Sequence, residues 1–204
     1  CCYTKIYYDT ALFEKAVCVF ASVSDEYKHS DGYQYDLCDL VRQALSNRFN
    51  TNQQKFAKAY ANKDIKAVKE ISETQLSLLK ELDAFLSNRS EFCLSRWIGD
   101  SHRLAADETE RKYFDLNART LITLWGNMDD TNILHDYAWR EWNGLIGEYY
   151  YTRWQMFYDA SVSALEQGRE FKVYCTEDFS ARAKYIHDPF GRRLFDFEKE
   201  WVNT

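Results

Sequence analysis

Pro189 is the single proline in a chain of 204 residues, and that scarcity constrains the fold more than any other feature. An all-β domain of this length normally uses several prolines in turns and at strand edges, whereas long helices exclude them. The chain therefore reads as helical. Aromatic residues make up 17% of it, so Tyr, Phe and Trp must fill much of the core. The polar atoms of Tyr and Trp then need partners or the surface.

The spacing of apolar residues supports one all-α domain over residues 1–204, with about eight or nine antiparallel helices and short loops. Residues 1–9 read as the tail of a preceding domain. Thr10 is a candidate cap for a first helix with Leu12, Phe13, Ala16, Val17 and Phe20 as its apolar positions. A polar loop over 22–32 leads to a long helix from Tyr33, with a weak spot at Asn50–Gln54 where a bend is expected. Asp64 caps a second long helix carrying Val68, Leu78, Leu79, Leu82 and Leu86, and the two form a hairpin. A shorter helix runs from Ser90 through Trp97. Asp107 and Glu110 read as a capping box for a helix that ends at Gly126. Further helices are expected near Leu134, from about Tyr149 to Gln167 with Gly168 as terminator, from Thr176 to His187, and from Pro189 through Trp201.

Composition and motifs exclude several functions. The net charge is −6 and no basic cluster appears, so nucleic-acid binding is unsupported. No apolar run is long enough to span a bilayer. Phosphate-cradling glycine loops are missing, and the four histidines are scattered without metal-ligand spacing. Nothing in the sequence asks for a cofactor or a metal. The six cysteines show no C-x-x-C pair; Cys18, Cys38 and Cys93 fall among apolar helical positions, where thiols pack as small hydrophobes. Asn88-Arg89-Ser90 matches a glycosylation sequon, a short pattern that often arises by chance. The chain begins Cys1-Cys2 instead of Met, as a processed or excised piece would.

Chemistry concentrates between Leu121 and Trp154, a stretch with four of the six tryptophans and three of the seven glycines. Asp129, Asp130 and Asp136 lack the alternating calcium-loop pattern and are better explained as acids before a helix N-terminus. Beyond the loop, Ala138, Trp142, Leu145 and Tyr149 recur at spacings of three and four, as in a core stripe. Asp136 and Arg140 are spaced for an ion pair on that helix. Gly144 and Gly147 inside a helix imply close packing by another backbone. Trp125 at a helix exit and Tyr137 at the next helix entry can present two rings to one opening, which suits a sugar. Spacing alone favours core packing for both.

The order Leu124-Trp125-Gly126, Leu134-His135-Asp136-Tyr137-Ala138, Arg140, Trp142, Gly144-Leu145, Tyr149-Tyr150 and Arg153-Trp154 resembles the C-terminal helical domain of the α-N-acetylglucosaminidases, glycoside hydrolase family 89. Tyr35-Asp36-Leu37 and the run from Asp39 to Ala44 resemble a helix start of the same family. Thr152 departs from the family's usual proline. The resemblance implies a retaining enzyme that removes terminal α-linked N-acetylglucosamine, with heparan sulfate as the substrate of its lysosomal members. Its nucleophile and acid/base carboxylates would sit on a preceding (β/α)8 barrel of the same polypeptide. No catalytic residue is then expected here. Trp125, Tyr137 and either Ile133 or Leu134 would line the pocket, and the location would be secreted, periplasmic or lysosomal. Two other readings remain: a stand-alone helical interaction module with an aromatic core, and an independent sugar-binding module.

Overall fold

The computed structural model describes residues 6–126, 128, 138–171 and 188–204. Seven α-helices lie among the described residues: α1 (Thr10–Ala21), α2 (Asp31–Ala61), α3 (Ile65–Leu86), α4 (Leu94–His102), α5 (Glu108–Ile122), α6 (Tyr151–Glu166) and α7 (Pro189–Val202). A π-helical segment, Leu145–Tyr150, runs directly into α6. The fold is all-α, as expected. The helices expected near Leu134 and over Thr176–His187 fall outside the described residues. The described residues form no β-strand, only one isolated parallel bridge between Cys93 and Asn143.

Carboxylates start most of these helices. Asp9, not Thr10, caps α1 and accepts from the Ala11 and Leu12 amides. Asp64 accepts from the Ala67 amide and Asp107 from the Glu110 amide. The Glu110 carboxylate reaches one residue further back than a strict capping box requires, to the Ala106 amide at 2.8 Å. Asp188 accepts from Phe190 and Gly191 while Pro189 occupies the first turn, where its missing N–H costs nothing. Gly168 takes the left-handed backbone just beyond α6, at φ 62°.

The helices pack in series. α1 lies on α2, α2 pairs with α3, α3 packs on α6 and the π segment, α6 meets α7, α7 meets α5, and α5 meets α4. α2 has 31 residues, roughly 46 Å of helix, and its helical assignment runs unbroken through Asn50–Gln54. Long-range contacts brace that stretch. Gln75 of α3 donates to the Phe49 carbonyl at 3.0 Å, Tyr158 of α6 donates to Gln53 at 2.9 Å, Phe49 meets Trp154 edge to face and Phe56 packs at a tilt on Tyr158. The helix expected from Ser90 is instead a 3-10 turn, Ser90–Phe92, followed by α4 through His102. Cys93 between them is extended and carries the bridge to Asn143.

Two large apolar clusters meet at the π segment. Leu145 and Tyr149 join Leu94, Ile98, Leu124, Phe195 and Trp201, while Ile146 joins Leu79, Leu82, Leu86 and Phe92. Cys38 belongs to the second cluster, and burial pushes its thiol up from its ordinary range. Cys18 departs from the expected burial: it is exposed.

Tyr158 is almost fully buried, and burial holds its phenol well above the ordinary value near 10. Above pH 10 the unfolded chain ionises this tyrosine while the folded chain does not, so its contribution to stability falls as pH rises. Tyr158→Phe should cost about 1 kcal/mol near neutral pH through the lost bond to Gln53. It should also flatten the alkaline decline, read from denaturant midpoints between neutral pH and pH 11. An unchanged alkaline slope would contradict this assignment.

Candidate functional site

Everything around the Leu121–Trp154 stretch depends on how α5 ends and how the chain re-enters a helix. α5 stops at Ile122, four residues before Gly126. The Thr123 hydroxyl donates back to the Arg119 carbonyl at 2.7 Å, and the Trp125 amide donates to the Thr120 carbonyl at 2.7 Å. The left-handed residue at this exit is Trp125 itself, at φ 65°, not the expected glycine. Leu124 is fully buried, whereas the adjoining Trp125 is 38% exposed. A bulky side chain in this region costs about 1–3 kcal/mol and persists only where the surroundings dictate it. Here Leu124, locked into the core, and the bond to Thr120 do so.

Past the undescribed stretch, the chain reappears at Ala138, which packs against the cluster that holds Leu124. Trp139 also has a left-handed backbone, at φ 48°, and is 66% exposed. Residues 138–143 are not helical, which corrects the expected stripe of Ala138, Trp142, Leu145 and Tyr149 on one helix. Lateral ties hold the segment out of a helix. Glu141 pairs with Arg42 of α2 and accepts from the Ser46 hydroxyl at 2.7 Å. The Asn143 amide donates to the Phe92 carbonyl at 2.7 Å, and its carbonyl accepts from the Leu94 amide at 2.9 Å. Arg140 is exposed and lies near the Trp142 ring, with its guanidinium carbon 5.8 Å from the centroid.

Asp83 of α3 then receives the chain. One of its oxygens accepts from both the Gly144 and Gly147 amides at 2.7 Å, and the other accepts from the Asn143 side chain at 2.9 Å. These are charge-assisted bonds at the start of a helical segment, where a carboxylate is favoured. The two glycines are explained separately. Gly144 needs its φ of 85°, and a Cβ on Gly147 would sit 2.6 Å from the Asp83 carboxylate. Close packing was expected at both, but at Gly147 the neighbour is a side chain, not a backbone.

A second polar cluster lies on α4 and α5. Asp115 accepts from Arg119 at 3.0 Å and lies 3.1 Å from His102 Nε2, while Arg119 covers the Trp201 ring. His102 and Arg119 face a cleft of about 390 Å³ whose other wall is Asn143, Gly144 and Glu148. Trp125 does not line it. Among the described residues no group of three or more His, Cys, Asp or Glu is placed to hold a metal.

Of the sequence-derived candidates, only Trp125 falls among the described residues. Tyr137, Ile133 and Leu134 lie outside them, as do Asp129, Asp130, Asp136 and His135. Sequence reasoning overlooked Asp83. Its signal was an acid interrupting the apolar line of Leu79, Leu82 and Leu86, but the partners are about sixty residues away.

The description "Alpha-N-acetylglucosaminidase (NAGLU) C-terminal domain" matches residues 2–204. A human protein named alpha-N-acetylglucosaminidase is 31% identical over 200 residues, which cover 98% of this chain and 25% of that protein. The chain thus spans about a quarter of the length of that relative.

Asp83→Ala should destabilise the protein by about 3 kcal/mol, because it strands two amides and an amide side chain. Gly147→Ala should cost about 2 kcal/mol by overpacking against the same carboxylate. Combined, they should cost less than the sum, since truncating Asp83 removes the clash. Denaturant titration of the three variants checks this, and strict additivity would contradict it.

Proposed function

Because the chain belongs to the alpha-N-acetylglucosaminidase C-terminal domain family, we propose that it completes the sugar pocket of such an enzyme and carries none of its catalytic carboxylates. Trp125 is the observation behind this reading. It is a half-exposed aromatic ring held in a costly backbone conformation at a helix exit, one residue from a fully buried leucine. Such strain collects at ligand-contacting positions. A ring fixed in this way offers its face to the C–H groups of a pyranose and excludes water, without taking part in proton transfer. Tyr137 and Ile133 or Leu134 join it on the same wall in this proposal.

The carboxylates support a division of labour. A retaining glycosidase needs two that face the substrate about 5 Å apart. Among the described residues, the buried or half-buried carboxylates Asp83, Asp115, Glu141 and Glu198 already have structural partners: backbone amides, His102 with Arg119, Arg42 with Ser46, and Arg153 at 2.9 Å. The catalytic pair is therefore assigned to a preceding (β/α)8 domain of the same polypeptide. The substrate is the terminal α-linked N-acetylglucosamine of a glycan, met in a secreted, periplasmic or lysosomal setting.

In the full-length enzyme, Trp125→Ala should lower kcat/KM for a chromogenic α-N-acetylglucosaminide about tenfold or more, equivalent to a loss of about 1.4 kcal/mol. The thermal midpoint should barely move, and Trp125→Phe should recover much of the activity. The 204-residue chain by itself should show no turnover. Unchanged kcat/KM in Trp125→Ala, or turnover by the chain alone, would overturn the proposal.

A further inference from the structure

Of the six tryptophans, Trp125 and Trp139 are the two that are exposed. They are also two of the three non-glycine residues with a left-handed backbone among the described residues. The third, Lys63, lies in the short turn between α2 and α3, where a long polar side chain reaches solvent at no loss. Trp139 is the more exposed of the two rings, and its indole makes no hydrogen bond or ring contact with another described residue. Its backbone is held from both sides. Ala138 packs on the cluster of Leu124 and Leu145, and Glu141 is tied to Arg42 and Ser46 of α2. Between these anchors the fold keeps its largest apolar side-chain type in water and in a backbone region that bulky residues avoid. Strain of this kind collects at ligand contacts.

We propose that Trp139 binds the second sugar of the glycan, the pyranose from which the terminal N-acetylglucosamine is released. The proposal rests on the reading that Trp125 meets the terminal sugar, and it extends that site by one ring. Leu124 and Ala138, the residues immediately before the two tryptophans, pack in one apolar cluster, so both indoles emerge over the same part of the core. Successive pyranoses of a glycan each present C–H groups that an exposed indole face can cover, and the indole N–H is left to meet a hydroxyl. A protein partner would ask for a contiguous apolar patch. Along the chain, however, the next residue after Trp139 is the exposed, charged Arg140. The second sugar is the leaving group of the reaction, so Trp139 sets specificity for what the terminal sugar is attached to. It favours a glycan over a small leaving group and moves no proton.

Two substrates that share the terminal sugar test this in the full-length enzyme. One is α-N-acetylglucosaminyl fluoride, whose leaving group has no ring. The other is a disaccharide with α-linked N-acetylglucosamine at its non-reducing end. Trp139→Asn removes the indole, and asparagine tolerates the left-handed backbone. In this variant the ratio of kcat/KM for the disaccharide to kcat/KM for the fluoride should fall about fivefold, the loss of one aromatic contact. Trp139→Phe should recover most of the ratio. Because both rates come from the same preparation, the ratio does not depend on how much of a variant folds. Trp125→Ala should lower both rates alike. Unchanged fluoride turnover in Trp125→Ala would therefore sink the terminal-sugar reading, whereas the Trp139→Asn ratio judges the second-sugar site. A ratio that Trp139→Asn leaves unchanged, whether both rates fall or neither does, would overturn the proposal.

Discussion

The Asp83 carboxylate is the constraint on which the middle of this domain depends. It gathers two backbone amides and the Asn143 side chain into one acceptor site on α3, and so fixes where the chain re-enters a helix after leaving α5. The consequence is geometric. Leu145 and Ile146 are neighbours in sequence, yet they enter different apolar clusters. The π-helical segment that begins there is the seam between those clusters. If the Asp83 contacts were lost, the seam would have no fixed start, and both clusters would lose their register against each other.

The same arrangement supports the candidate site. The exit from α5 and the re-entry at Ala138 are both pinned to the cluster containing Leu124, Leu145 and Phe195. A tryptophan with a left-handed backbone stands on each side of the intervening stretch, Trp125 before it and Trp139 after it. The core therefore bears the strain, and the rings are left at the surface. Further along, Arg153 of α6 pairs with the buried Glu198 of α7. A buried pair of this kind is weak evidence for net stability, but removing one partner would leave an uncompensated charge and loosen the α6–α7 contact. Among the described residues, Asp83, Glu141 and Glu198 are carboxylates committed to holding the framework.

Much of this was legible in the sequence, and the failures have identifiable causes. Caps at Asp64 and Asp107, the stop at Gly168 and the start at Pro189 depend on residues close in sequence, and they were readable for that reason. The spacing of Ala138, Trp142, Leu145 and Tyr149 fitted a helix, but lateral ties from Glu141 to α2 and from Asn143 to Phe92 and Leu94 impose a non-helical path before Leu145. Periodicity has no access to partners ninety-nine residues away, as Arg42 is from Glu141. Gly126 looked like the left-handed cap because glycine is usually the cheapest residue there. The buried Leu124 shifted that role to Trp125. On α1, Leu12 and Ala16 were read with the core and are exposed, since a helix apolar on both sides offers no pattern to say which side is inward. For the site, the sequence singled out Trp125, but it could not show which bonds hold the ring at the surface.

The most direct measurement of the central claim is a crystal structure of the full-length enzyme with N-acetylglucosamine bound. The account predicts the Trp125 ring in van der Waals contact with the sugar, about 4 Å from its carbon atoms, and the two catalytic carboxylates on the preceding domain. A bound sugar enclosed wholly by the preceding domain, with Trp125 facing solvent, would contradict it.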